Sequence, residues 1–149
     1  MINFENISID FNDAIVCLDI DGTLVEDGGK HLQQAVVEKI EKMKLNNQIY
    51  ICTNMLDMKR KKMFEDLLSL QSIASDSKKP SKNFLKSIVI NNKQIIVIGD
   101  KMLTDGILAK RIGARFIKVQ RKHGERDSWI TKTSYMIDDI YSKFFYPTK

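Results

Sequence analysis

Two aspartates one residue apart, Asp19 and Asp21, close the apolar run AIVCLDI and are followed at once by Gly22 and Thr23. Like charges at that spacing repel and raise each other's pKa unless a cation lies between them. Two further acids, Asp100 and Asp105, follow the apolar run QIIVIGD or close it, and Thr53 and Asn54 come at the end of a third, IYICT. Oxygen-rich sites of two or three carboxylates suit Mg²⁺, which keeps several waters and is commonly shared with substrate phosphate. Beside such a cation one carboxylate can approach phosphorus and attack it, while a second, held off the metal, gives a proton to the leaving oxygen and later takes one from water. Asp21-Gly22 on its own is also ordinary turn chemistry. A calcium loop of the EF-hand kind does not fit: Gly22 comes too early, Ile20 has no ligating side chain, and Lys30 stands where that loop needs glutamate.

These residues need a sheet to bring them together. Runs rich in Val and Ile alternate with segments of helical period, which predicts an α/β fold with a parallel sheet covered on both faces. Strands are expected at 14–20, 49–53, 94–100 and 114–119, with 72–80 a short strand or loop. The spacing predicts helices over 32–44, with Val36, Ile40 and Met43 on one face, and over 56–70, with Met63, Leu67 and Leu70 on one face. A third is expected from Pro80 to about Val89, and a fourth from Met102 to Ile112, closed by Gly113. From Trp129 to Phe145, residues Trp129, Met136, Ile137, Ile140, Tyr141 and Phe144 recur at helical spacing. This segment is read as a closing helix packed on the sheet, the alternative being a helix for a membrane surface or a partner. Ligands of open parallel sheets bind at the carboxyl ends of the strands. There Asp19, Asp21, Thr53, Asn54 and Asp100 would converge on one rim, with Asp105 in the next turn.

The 149 residues are 43% apolar and 29% charged, as expected for one globular domain spanning 1–149. The N-terminus has no signal-like pattern, and no apolar run approaches the ~18 residues of a spanning helix, so a soluble, cytoplasmic protein is expected. Cys17 and Cys52 lie in predicted strands and read as small core residues. Twenty-four basic and 19 acidic side chains give a net charge of +5, which favours anionic ligands at long range. The basic runs at 59–62 and 121–123 read as solvated faces rather than a nucleic-acid surface. His31 and His123 show no ligand pattern, and Asp27, Gly28 and Gly29 are expected to form a flexible loop over the rim.

DIDGTL (Asp19 to Leu24), the strand-end Thr53, the Lys79-Pro80 pair and GDKMLTD (Gly99 to Asp105) stand in the order and rough spacing of four family motifs. Over about residues 14–120 the chain thus resembles the haloacid dehalogenase-like superfamily of phosphatases. The resemblance implies a three-layer Rossmann-like sandwich on a mainly parallel five-stranded sheet of order 3-2-1-4-5, and Mg²⁺ as cofactor. It implies Asp19 as nucleophile and Asp21 as general acid/base that also lends its backbone carbonyl to Mg²⁺. Asp100 would add a metal carboxylate, and Asp105 would hold metal-bound water or pair with the lysine. Thr53, with backbone N–H groups at a helix start, would bind phosphate oxygens. Lys79, preferred to Lys78 for the proline that follows it, would neutralise the phosphoryl group in the transition state. Gly22, Thr23 and Asn54 would face substrate. An acid at Asp21 suits phosphomonoester hydrolysis, where the family's ion pumps have threonine.

The intervals from Asp21 to Thr53 and from Thr53 to Lys79 each hold about one helix and its loops, so no cap domain fits. Among capless relatives the KKP and GDKMLTD motifs look most like subfamily IIIA, which includes phosphatidylglycerophosphate phosphatases. Gly22 and Cys52-Thr53 depart from the Asn and Ser-Asn often found there. The implied substrate is a phosphorylated lipid headgroup, reached by peripheral membrane contact without a transmembrane segment, or a sugar phosphate. The rival readings are a homo-oligomeric sugar-acid phosphate phosphatase closed by a neighbouring protomer, and a non-catalytic module that binds a phosphorylated ligand.

Overall fold

β1 (Ile15–Leu18) takes the middle of the sheet because all four of its side chains are apolar and buried, which only a strand covered on both faces can satisfy. The computed structural model describes residues 1–124 and 129–145. β1 pairs in parallel with β2 (Gln48–Ile51) on one side and β4 (Ile95–Gly99) on the other; β3 (Gln71–Ser72) and β5 (Arg115–Lys118) are the edges. The order is β3-β2-β1-β4-β5, all parallel, and no cap domain interrupts it.

The pleat sorts the side chains. Val16, Leu18, Ile96 and Ile98 pack under α1 (Gln34–Lys44), α2 (Met58–Leu68) and the N-terminal Phe4, Ile7 and Phe11. Ile15, Cys17 and Val97 face the other way, onto Phe84, Leu85 and the Leu108-Ala109 pair of α3 (Ile107–Ile112). Both free cysteines are buried in this second layer.

Three elements differ from the sequence-based expectation. Only a short 3₁₀ turn, Lys82–Leu85, forms after Pro80. The β-branched run Ile88-Val89-Ile90 disfavours helix, and Asn91 and Asn92 turn the chain with φ of 44° and 60°. α2 buries Arg60, Phe64 and Leu68, while Leu67 is exposed, so its inner face is rotated from the one expected. The helix expected from Met102 begins as a wide π turn, Met102–Gly106, before α3, which Gly113 ends in the left-handed conformation.

α4 (Trp129–Phe145) closes the chain but belongs to neither core layer. It packs on the π turn, with Tyr135 and Asp138 buried. Trp129 is 76% exposed, and Met136, Ile137 and Ile140 are half exposed or more, so packing on the sheet is corrected to packing on the rim. The Phe144 side chain lies outside the described residues. No described helix is long and apolar enough to cross a membrane.

Candidate active site

The parallel register sets Leu18 between Ile51 and Ile98, so the residues that follow the three central strands emerge along one edge. The Asp19 N–H donates to the Ile98 carbonyl (3.0 Å) and the Cys52 N–H to the Leu18 carbonyl (2.8 Å), carrying the ladder to the rim itself. Asp19 and Asp100 therefore leave neighbouring strands side by side. Asp105 returns to them through the π turn, whose Asp105 and Gly106 N–H groups both reach the Lys101 carbonyl. Its carboxylate lies where a Cβ on Gly99 would be, so only glycine fits there.

Asp19, Asp100 and Asp105 each offer an oxygen within 4.8 Å of the others, and all three are buried. Lys79 joins them from the loop after β3: its Nζ donates to Asp19 Oδ1 at 2.7 Å and to Asp105 Oδ1 at 2.5 Å. Lys78 is exposed. Asn54 holds the Lys79 backbone at both ends, its Nδ2 donating to the Lys79 carbonyl (3.1 Å) and its Oδ1 accepting the Lys79 N–H (2.8 Å). The Asn54 amide thus orients the lysine. Thr23, fully buried, donates toward Asp19 Oδ2 (3.4 Å) and Asp100 Oδ1 (3.5 Å). Gly22, at φ +78°, lets the chain pass so close that a Cβ would come within 2.6 Å of Asp100 Oδ2.

Burial pushes the Asp19 carboxyl up to about 7, with Asp105 and Asp21 adding to the shift and Lys79 opposing it. Burial and the Asp19 charge raise Asp100 to about 6 against the pull of Arg121. Asp105 is raised by burial as well. Burial works against the charge on Lys79, but Asp105 and Asp19 hold its pKa well above the ordinary lysine value. Three buried carboxylates are thus bonded to two cations, Lys79 and Arg121, with Lys101 acting on Asp100 from further off. Lys79 covers Asp19 Oδ1 and Arg121 Nε covers Asp100 Oδ2 (2.7 Å), while among the described residues Asp19 Oδ2 and Asp100 Oδ1 have the Thr23 hydroxyl alone between them. Hard oxygen donors carrying an uncompensated charge fit Mg²⁺.

Asp21 is turned elsewhere. Arg60 grips its carboxylate through Nη1 (3.0 Å) and Nη2 (2.7 Å), and the Gly28 N–H donates to Oδ1 (3.1 Å). The same guanidinium reaches the Gly29 carbonyl, and Thr131 of α4 donates to Asp27, so side-chain hydrogen bonds hold the loop at 27–29 from two sides. Thr53 Oγ1 accepts the Met55 N–H (3.1 Å). It stands upstream of α2, whose first free amides, Lys59 and Arg60, are capped by the Asp57 carboxylate.

Arg60 and Arg121 belong to basic runs expected to be solvated faces, yet Arg60 is as buried as Asp19 and the Arg121 side chain is almost wholly covered. For Arg60 a signal existed: with Phe64 and Leu68 it forms an i, i+4, i+8 stripe, with its stem in the apolar layer and its head at the rim. Arg121 had none; only the fold brings β5's continuation beside Asp100.

Sheet order, absent cap and strand-end carboxylates with a buried lysine are those of a capless haloacid dehalogenase-like phosphatase. Residues 2–123 match the family model described as mitochondrial PGP phosphatase, and the chain belongs to that family. No curated protein and no solved structure matches it.

Proposed function

We propose that the protein is a Mg²⁺-dependent phosphomonoesterase that works through an aspartyl-phosphate on Asp19, with a phosphatidylglycerophosphate-like lipid headgroup as substrate. The observation that carries the reading is the buried cluster in which Lys79 links Asp19 to Asp105 beside Asp100. Asp19, Asp100 and the Asp21 backbone carbonyl would hold Mg²⁺, with Asp105 joining through water. The cation supplies charge neutralisation that lets a carboxylate and a phosphate dianion approach one another.

The chain's own residues do the rest. Lys79 fixes the Asp19 carboxylate and, at the same position, neutralises charge on the transferring phosphoryl group. Asp19 forms a bond to phosphorus as the bond to the leaving oxygen breaks, and the Asp21 carboxyl gives that oxygen its proton. Water then attacks phosphorus, its proton passes to Asp21, and the Asp19–phosphorus bond breaks to release phosphate. Because Asp21 starts as a carboxylate on Arg60, it must first give up one guanidinium bond and take up a proton from water, and that proton then passes to the leaving oxygen.

An amphiphilic substrate is favoured over a sugar phosphate by the surface beside the rim. A groove between α4 and the segment at 121–124 is lined by Lys132 and Lys143 with Tyr135, Met136 and Ile140, and by Arg121 and Asp139, which pair with each other (3.3 Å). Two exposed lysines beside the exposed apolar side chains of Met136 and Ile140 suit a phosphorylated lipid lying in an interface. Phosphate release should be measured from an aryl phosphate, a soluble sugar-acid phosphate and a lipid phosphate in anionic vesicles, with Mg²⁺ or EDTA. Asp19→Asn should reduce release on every substrate by at least about 10³-fold. Retained activity in Asp19→Asn overturns the mechanism, and preference for the sugar-acid phosphate overturns the substrate.

A further inference from the structure

We propose that Asp138, on α4, is a positioning residue for the cation site: it sets the distance between Asp100 and Asp105 by clamping both the backbone that joins them and the arginine that holds Asp100. The inference deepens the metal-site reading above and rests on it. Asp138 lies outside residues 2–123, so membership of the family assigns it nothing.

Asp138 is 1% exposed although it belongs to a helix whose apolar stripe faces out. Its Oδ1 accepts the Leu103 N–H at 2.7 Å and its Oδ2 the Met102 N–H at 3.1 Å. These amides open the π turn between Asp100 and Asp105. The first amides of a helical segment have no partner within it, and Lys101, in the capping position, supplies none through its side chain. Asp138 is thus a cap delivered from a distant part of the chain. Its Oδ2 also meets Arg121 Nη2 (3.4 Å) and lies near Lys118 Nζ (3.7 Å). Arg121 in turn donates through Nε to Asp100 Oδ2 (2.7 Å), reaches Asp139 (3.3 Å), and stacks 3.9 Å above the Tyr135 ring. One carboxylate therefore fixes Asp100 twice, through the backbone on its C-terminal side and through the cation on its outer oxygen. Partners that orient metal ligands in this way typically change metal affinity about 10–100-fold when removed.

The test is Mg²⁺ binding to the full chain, stripped with EDTA, by isothermal titration calorimetry, with hydrogen exchange at the Met102 and Leu103 amides and far-UV circular dichroism to show that each variant is folded. Asp138→Ala should weaken Mg²⁺ binding about tenfold or more and strip protection from those two amides. Asp138→Asn, which keeps one acceptor oxygen, should fall between it and wild type. Met43→Ala, a cavity in the core layer under α1, should lower the melting temperature and leave Mg²⁺ affinity unchanged, so lost stability by itself does not imitate the effect. If wild type and Asp138→Ala bind Mg²⁺ equally, the clamp is overturned while the cation site stands. If wild type binds no Mg²⁺, the cation site falls and takes the role of Asp138 with it.

Discussion

Raising the pH of the magnesium-free protein should destabilise it, and Mg²⁺ should restore the loss most at high pH. Asp100 and Asp19 titrate near 6 and 7 in the fold, against about 4 for an aspartate in the unfolded chain. Between about pH 4 and 7 the folded state therefore holds protons that the unfolded chain has released, and stability falls as pH rises. The stabilising contribution is complete below about pH 4 and is lost through 6 to 7. At about 1.4 kcal/mol per unit, the Asp100 shift of about two units corresponds to roughly 3 kcal/mol in all. Because the two carboxyls repel, their contributions do not add, and about 1–3 kcal/mol should disappear between about pH 5 and pH 8. For a chain of this size that is several degrees of melting temperature. Mg²⁺ competes with those protons, and at a hundred times its Kd it adds about 3 kcal/mol, more fully expressed where the carboxyls are ionised. Thermal melts of wild type and Asp100→Asn, each with EDTA or Mg²⁺ across this range, isolate the site from the general effect of a net charge of +5. Asp100→Asn should show a flatter decline and a smaller Mg²⁺ shift. Equal slopes in the two proteins, or a Mg²⁺ shift in wild type that is the same at both ends of the range, would refute the reasoning.

Lys79→Met leaves Asp19 and Asp105 buried against each other and should cost about 3–5 kcal/mol in urea unfolding at about pH 8, shrinking as the carboxyls protonate at lower pH; a cost independent of pH contradicts the pairing. Arg60→Ala frees the Asp21 carboxylate and the Gly29 carbonyl and should cost about 2–3 kcal/mol of stability. It should also cut kcat by up to about 100-fold with little change in KM, because it disturbs the acid rather than the phosphate site; a change confined to KM counts against that role.

Much of the fold was legible because it depends on local patterns. Buried Val/Ile runs separated by helical segments imply parallel strands, and parallel strands place whatever follows them on one edge. Asp19 and Asp100 lie on the same edge for that reason, and the strand order that pairs β1 with β4 makes them neighbours. The helix expected after Pro80 does not form because its β-branched residues disfavour it, a local signal that opposes the helix-starting proline. α2 was placed correctly but its inner stripe was not, since Arg60 hides a buried stem behind a charged head.

By itself, then, the order of residues determined the strands, their common direction and the acids at their ends, all of which follow from periodicity within a few residues. Tertiary structure alone decided that Lys79 bridges Asp19 and Asp105, that Asn54 serves the backbone of Lys79, that Arg60 takes Asp21, and that Asp138 reaches the turn after Asp100. Those pairings join charged residues far apart in the chain, and a charge carries no periodic signature of its partner: its place is settled only when burial removes water and leaves the opposite charge as the one remaining way to satisfy it.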